Sequence, residues 1–173
     1  MADYFPLKEK TRLEYSYEST EFKGLARVFL DFLKVRKNKQ GENADVKMTF
    51  ILRDTCVSEY KISKTKRWVV TADGLVIGGR KEFPRPPKEG IEWIESPDIC
   101  RIVSMNEKVK VKAGKFSKCM KIVSRLSGGD SGKSVRYYAP NIGYILENYT
   151  AEDKDCWVEL VNIGKIPEDE KKK

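Results

Sequence analysis

The chain lays down short runs in which apolar and polar residues alternate, and it breaks them with turns every ten or so residues. Leu13, Tyr15 and Tyr17 alternate with Glu14, Ser16 and Glu18. A period of two sets one face of an extended chain against a core and the other in water, so the run reads as a half-buried strand. The pattern also comes twice. Pro6-Leu7-Lys8-Glu9-Lys10-Thr11-Arg12-Leu13 opens one series and Pro86-Pro87-Lys88-Glu89-Gly90-Ile91-Glu92-Trp93 opens another. The first series closes on Thr71-Ala72-Asp73-Gly74-Leu75-Val76, the second on Tyr138-Ala139-Pro140-Asn141-Ile142-Gly143-Tyr144-Ile145. An echoed strand-turn pattern is a scaffold signature.

Further runs fall at 46–52, 57–62 and 67–71. Asp73-Gly74 is a strong hairpin signal, with Leu75-Val76-Ile77 as the returning strand. In the second series the runs fall at 91–94, 100–103, 109–111, 116–126, 135–138, 144–149 and 156–161. About a dozen short strands at this spacing predict an antiparallel all-β fold. One stretch is ambiguous. Ala26, Val28, Leu30 and Phe32 alternate as in a strand, whereas Phe22, Leu25, Val28, Phe29, Phe32 and Leu33 fit a helical stripe. The neighbouring strands favour a meander over 22–36, and one helix stays open as the alternative.

The Gly- and Pro-rich segment 78–90 is the natural boundary, and its prolines forbid an interior strand there. The expected architecture is a strongly curved antiparallel sheet, an open barrel or clamshell, built from two similar halves. These are residues 1–80 and 81–165, sharing one sheet or core, and 166–173 form a charged disordered tail.

At 173 residues the chain buries enough surface to fold without staples. No apolar stretch approaches the roughly 18 residues that cross a bilayer as a helix. The first residues carry no signal pattern, which leaves a cytoplasmic protein or the mature form of an exported one. The net charge is +8, from 34 Lys and Arg against 26 Asp and Glu. The excess is spread along the chain and reads first as solubility. There are no histidines, which removes the usual general base and the usual nitrogen ligand for metals. The four cysteines, Cys56, Cys100, Cys119 and Cys156, have no C-x-x-C spacing and read first as small buried apolar residues.

Several motifs tempt. Gly129-Asp130-Ser131-Gly132 copies part of a serine-protease signature, but there is no histidine to take the serine proton. Gly128 to Ser134 imitates a phosphate loop, yet position 127 is serine, and Val135 to Pro140 reads as strand then turn, not helix. Lys108, Lys110 and Lys112 share a strand face, and Lys61, Lys64, Lys66 and Arg67 lie near Tyr60 and Trp68. Basic strands with aromatics can carry single-stranded nucleic acid. A solvated face that also blocks edge aggregation is the favoured reading, and nucleic acid is not the expected partner. No pair of carboxylates stands out as an acid/base couple, and no catalytic residue, metal or cofactor is called for.

The aromatics Trp68, Trp93, Tyr137, Tyr138 and Tyr144 form the candidate binding set. Core packing is the favoured reading of them, and the alternative is that some line a cavity inside a curved sheet. Gly74, Gly114, Pro140 and Gly143 are the expected structural turns. Gly114 and Gly143 sit where a tight reversal demands positive φ, and Pro140 presets a turn dihedral.

Val109-Lys110-Val111-Lys112-Ala113-Gly114-Lys115-Phe116, the later Tyr137-Tyr138-Ala139-Pro140-Asn141-Ile142-Gly143, and the opening Phe5-Pro6-Leu7-Lys8 carry a resemblance. Together they resemble a loose family of uncharacterised bacterial envelope proteins, often lipid-anchored, with Ala-Gly-x-Phe and Tyr-Tyr-Ala-Pro-x-x-Gly turns. The chain departs from that pattern at Lys10 and Leu13, where glycine and tryptophan are usual, but keeps both at Gly90 and Trp93. More distantly it is similar to periplasmic lipoprotein carriers. The resemblance implies an exported, largely β protein of the periplasm or envelope, and it carries over no activity. The expected function is a non-enzymatic binding module for an apolar or amphipathic ligand, such as a lipid or acylated protein. A structural or protein-interaction component without a small ligand is the alternative.

Overall fold

A computed structural model of the chain describes residues 1–127 and 132–170. Twelve strands form one antiparallel sheet, with no α-helix among the described residues. The first six are β1 (Thr11–Ser19), β2 (Ala26–Asn38), β3 (Gly41–Ile51), β4 (Thr55–Thr65), β5 (Trp68–Thr71) and β6 (Arg80–Pro84). The second six are β7 (Glu92–Glu95), β8 (Asp98–Val111), β9 (Gly114–Leu126), β10 (Gly132–Ala139), β11 (Gly143–Thr150) and β12 (Asp155–Lys165).

Each set of six is a meander, and the two join where β1 pairs with β12. The outermost strands, β6 and β7, come round toward each other without pairing, so the sheet is a nearly closed barrel with one unsealed seam. The echoed openings at Pro6 and Pro86 lead into β1 and β7, the first strand of each meander. Pro84 ends β6, at a sheet edge where a missing ladder donor costs least.

Period two decides the ambiguous stretch. In β2, Ala26, Val28, Leu30 and Phe32 are buried, while Leu25 and Leu33 are 48% and 39% exposed. The helical stripe fails because it needs both of those leucines in the core, and β1 and β3 supply a ladder on each side. The Asp73-Gly74 signal also misleads. β5 and β6 pair through Thr71 and Arg80, so residues 72–79 form a longer loop and Leu75-Val76-Ile77 is not a strand. Val76 tucks inside. Gly74 does not take positive φ; a Cβ there would stand 2.7 Å from the Ile77 carbonyl oxygen.

The turn between β10 and β11 follows from its residues. Pro140 presets the first central dihedral, Asn141 takes φ of +62°, and the Ile142 N–H donates to the Ala139 carbonyl at 3.2 Å. This is a type II turn, and the residue after it, Gly143, has φ of +106°. Gly114 opens β9 with φ of +149°.

Twelve strands enclose more space than the eight whose side chains fill a small barrel. Large side chains fill it here. Tyr15, Tyr138, Tyr144, Phe83 and Met120 point inward, and Tyr138 lies 5.1 Å from Phe83 and 5.8 Å from Tyr144 between ring centroids. Residues 1–10 cover one end of the barrel. The Asn141 N–H donates to the Asp3 carbonyl at 2.6 Å, and Phe5 packs against Phe83 and Tyr138 at 6.4 and 6.3 Å. The loop 72–79 lies at the opposite end, where the Lys154 ammonium donates to the Val76 carbonyl at 3.4 Å.

The expected tail at 166–173 begins anchored: Ile166 is buried and its N–H donates to the Lys10 carbonyl at 2.9 Å. Residues 171–173, and 128–131 with most of the Gly-Asp-Ser-Gly motif, lie outside the described residues. Gly132 opens strand β10, so the phosphate-loop imitation leads into no helix. Cys100, Cys119 and Cys156 are buried thiols as expected, but Cys56 is exposed: it shares the parity of the inward-facing Ile62 and Lys64, yet lies at the start of β4, where the strand is exposed.

Candidate functional site

The interior is not purely apolar. Arg80 and Glu82 of β6, Arg136 of β10 and Glu147 of β11 are all buried. Alternation dictates this. Arg136 falls two residues from Ser134 and two from Tyr138, on the inward face of β10. Arg80 and Glu82 share the inward face of β6 in the same way.

Arg80 is the hub. Its Nη2 and Nη1 donate to the two oxygens of Glu147 at 2.7 and 3.1 Å, and its Nε donates to Glu82 at 3.1 Å. Glu147 also accepts from Tyr144 at 2.8 Å and Ser134 at 2.9 Å. Glu82 also accepts from the Thr71 hydroxyl at 3.0 Å and from Tyr138. Burial by itself would raise the Glu147 pKa; the Arg80 charge and hydrogen bonds, aided by Arg136 and Tyr144, bring it down to about 2. Burial works against the Arg80 charge in turn, but Glu147 and Glu82 outweigh it and hold its pKa well above the ordinary value. Burial, then the Glu82 charge, pushes the Tyr138 phenol well up, and burial with Glu147 does the same to Tyr144. Every phenol here is therefore a neutral donor at neutral pH. Glu147 is a fixed ion with both oxygens occupied, not a group poised to move a proton.

Arg136 is held differently. Its Nη1 donates to the Ser124 hydroxyl at 3.1 Å and its Nη2 to the Glu82 backbone carbonyl at 2.8 Å. Its buried Nε has no partner. The guanidinium touches only neutral acceptors, although the cluster as a whole balances two guanidinium groups against two carboxylates.

The network lies behind the seam. Contacts span the seam at two places, one from β5 and one from the β6 backbone. Trp68 and Trp93 meet edge-to-face at 6.2 Å, and the Lys81 N–H donates to a Glu95 carboxylate oxygen at 3.2 Å. Beyond the second bridge a pocket of about 260 Å³ opens, with Arg80, Arg136, Ser124 and Ser134 among its lining residues. Glu82 and Glu147 do not line it.

Of the aromatics singled out from sequence, the structure brings together Tyr138 and Tyr144 in the interior and Trp68 and Trp93 across the seam. Tyr137 points the other way, with the Lys121 ammonium 5.8 Å from its ring centre. The interior void beside Tyr15, Tyr60 and Tyr144 measures about 40 Å³, room for water but not for an acyl chain. A larger groove of about 740 Å³ lies at the arm's end of the barrel, between Lys8, Phe32, Ile142 and Ile166, and shares Pro6, Leu13, Phe32 and Ile142 with that void. The basic run 61–67 does not form one face either, because Lys64 is buried against Asp3 and Glu42. The sequence reading missed all four charged network residues.

No family model matches the chain, and no curated protein matches it. Solved structures do. A protein from Bacteroides fragilis described as exported, with a YmcC-like fold, superposes with a TM-score of 0.70 at 15% identity, covering 95% of this chain and 100% of its own. A protein from Parabacteroides distasonis described as a lipoprotein gives 0.65 at 12% identity, covering 94% and 99%. No helix among the described residues is long and apolar enough to cross a membrane. At these identities the likeness is one of architecture: the chain shares the nearly closed barrel of a YmcC-like fold along almost its whole length.

Proposed function

We propose that the chain is a non-enzymatic binding module of the bacterial envelope, that its ligand is amphipathic, and that the β6–β7 seam is where the ligand is held. The observation that carries this reading is the pocket at the unsealed seam, which reaches a buried polar network. A barrel built only to be solid has no use for an open edge, which exposes unpaired backbone groups. Ile94 and Ile99, directly opposite each other on β7 and β8, lie outside the same rim and are 67% and 42% exposed. A ligand with one polar and one apolar end matches that juxtaposition. The likeness to proteins described as exported and as a lipoprotein supports the envelope as the compartment. The filled interior means that the ligand's apolar part stays outside the barrel, unlike an acyl chain swallowed by a carrier.

Native mass spectrometry after gentle, detergent-free purification tests this. The expected result is an adduct of amphiphile mass, or uptake of an added single-chain amphiphile at one per chain. A bare protein mass that no added amphiphile changes would remove the reading.

A second reading has its own observation. The interior is packed, and Ile94, Ile99 and Val103 are exposed on the outer face of neighbouring positions in β7 and β8. That suits a structural or protein-interaction component with no small ligand. Stoichiometric amphiphile uptake excludes it.

A further inference from the structure

We infer that the seam pocket is a carboxylate site, with Arg136 as its anchor, and that it takes the acid head of a single-chain amphiphile. This deepens the proposed function and rests on it.

Three observations converge. The first is the unpartnered donor. Arg136 is 2% exposed, yet its Nε–H meets no acceptor. A buried donor left unmade costs more than most hydrogen bonds gain, so such a group calls for an explanation. The second is the arrangement of signs. Arg80, Arg136, Ser124 and Ser134 line the pocket; the serine hydroxyls already donate to Cys100 and Glu147, so the donor left without a partner is the Arg136 Nε–H. The carboxylates of Glu82 and Glu147 sit behind Arg80, turned toward Thr71, Tyr138 and Tyr144. Past the rim, a ligand in the pocket therefore faces the Arg80 and Arg136 guanidinium groups rather than the Glu82 and Glu147 carboxylates. Glu95 and Asp98 stand at the rim, and each is already engaged, by the Lys81 and Ser127 N–H groups. The third is size. About 260 Å³ holds a head group and a few carbons, not a long chain.

The charge count selects the acid. The buried cluster is neutral as it stands, with Arg80 holding both carboxylates. A carboxylate adds one negative charge beside the guanidinium that has no anionic contact. A phosphate monoester adds nearly two, which the interior has no second cation to meet. A planar two-oxygen acid also fits the edge of a guanidinium, whose spare N–H groups lie in one plane. The alkyl chain then leaves over Glu95 and Pro97 onto Ile94 and Ile99.

The test uses the whole protein at neutral pH, titrated with laurate below its micelle concentration, and with dodecanol, acetate and inorganic phosphate in parallel. Binding is read by calorimetry and by the arginine Nε–H signals in nitrogen-proton spectra, with the Arg136 signal assigned by its loss in Arg136→Lys. The expected result is saturable laurate binding that shifts the Arg136 signal, with acetate shifting the same signal at much higher concentration and phosphate not shifting it. Arg136→Gln, if folded, weakens laurate by at least about tenfold. The wild-type comparisons stand even if that variant does not fold. Acetate binding as tightly as laurate keeps the carboxylate site, assigns it to small free acids, and contradicts the amphiphile. Dodecanol binding as tightly as laurate, or laurate binding with the Arg136 signal unmoved, overturns the carboxylate site but leaves the proposed function standing. Binding of none of them overturns both.

Discussion

Arg80 and Glu147 meet end-on inside the barrel, with nitrogen–oxygen distances of 2.7 and 3.1 Å, although they lie 67 positions apart in the chain. The pair crosses the interior from β6, a strand with one free edge, to β11 in the other meander. It ties down a seam strand that the sheet alone holds only through β5. Breaking a buried pair from one side leaves the other charge stranded, so the contact matters more for position than for net stability.

Glu147→Gln is therefore expected to lower stability at pH 7 by about 3–5 kcal/mol, because Arg80 loses its bidentate partner. Urea unfolding followed by circular dichroism reads this directly.

The pH dependence follows from the same carboxylate. Its folded pKa of about 2 lies below the ordinary 4.5, so ionised Glu147 favours the folded state above that ordinary value. The stabilisation, on the order of 3 kcal/mol, is lost as pH falls from about 4.5 toward 2. Wild-type unfolding free energy should drop steeply across that window, and the Glu147→Gln variant should show a shallower slope there. Equal slopes would contradict the assignment.

Tyr138→Phe removes the phenol that donates to Glu82 and leaves the ring packing intact. A hydrogen bond to a buried charge is worth about 1.5–3 kcal/mol, and the variant should lose that much in chemical unfolding. Loss below about 0.5 kcal/mol would mean that Arg80 and Thr71 satisfy Glu82 without it.

The strands were legible because their chemistry repeats. Leu13, Tyr15 and Tyr17 alternate, and all three are buried. Residues 26–32 were legible by the same period once the neighbouring strands were considered. The turn at 139–143 announced itself through Pro140 and Gly143, whose backbone needs are local. The loop at 72–79 did not, because Asp73-Gly74 fits a two-residue hairpin and only the distant pairing of Thr71 with Arg80 lengthens it. The charged network was hidden for a different reason. An isolated Arg or Glu in a strand reads as the wet face, and the partners of Arg80 and Arg136 lie far along the chain. One signal was present: Ser134, Arg136 and Tyr138 share a parity with an aromatic that has to be inside. The seam was marked only by the prolines that keep β6 short.

Gly143→Val is expected to cost at least about 1 kcal/mol through backbone strain alone. Its φ is +106°, while the nearest atom to an added Cβ is Pro6 Cδ at an ordinary 3.6 Å. Gly164→Ala is the control: nothing lies within 4 Å of its Cβ position, and its φ is not positive, so its melting temperature should not fall. Equal melting temperatures for wild type and Gly143→Val would sink the turn assignment.

Phe5→Ala should cost about 3 kcal/mol, since Phe5 is the arm's buried contact with Phe83 and Tyr138. Limited proteolysis should then cut within residues 1–10 far faster than in wild type. Unchanged cleavage would show that the Asp3–Asn141 contacts hold the arm unaided.

Hydrogen exchange with and without laurate locates the ligand most directly. Slowed exchange confined to residues 77–81, 95–100 and 132–136, with the arm and the 139–143 turn unchanged, is the outcome expected of a ligand held at the open edge beside Arg136. Slowing at the arm's end of the barrel instead, or at no segment while laurate is bound, would contradict it.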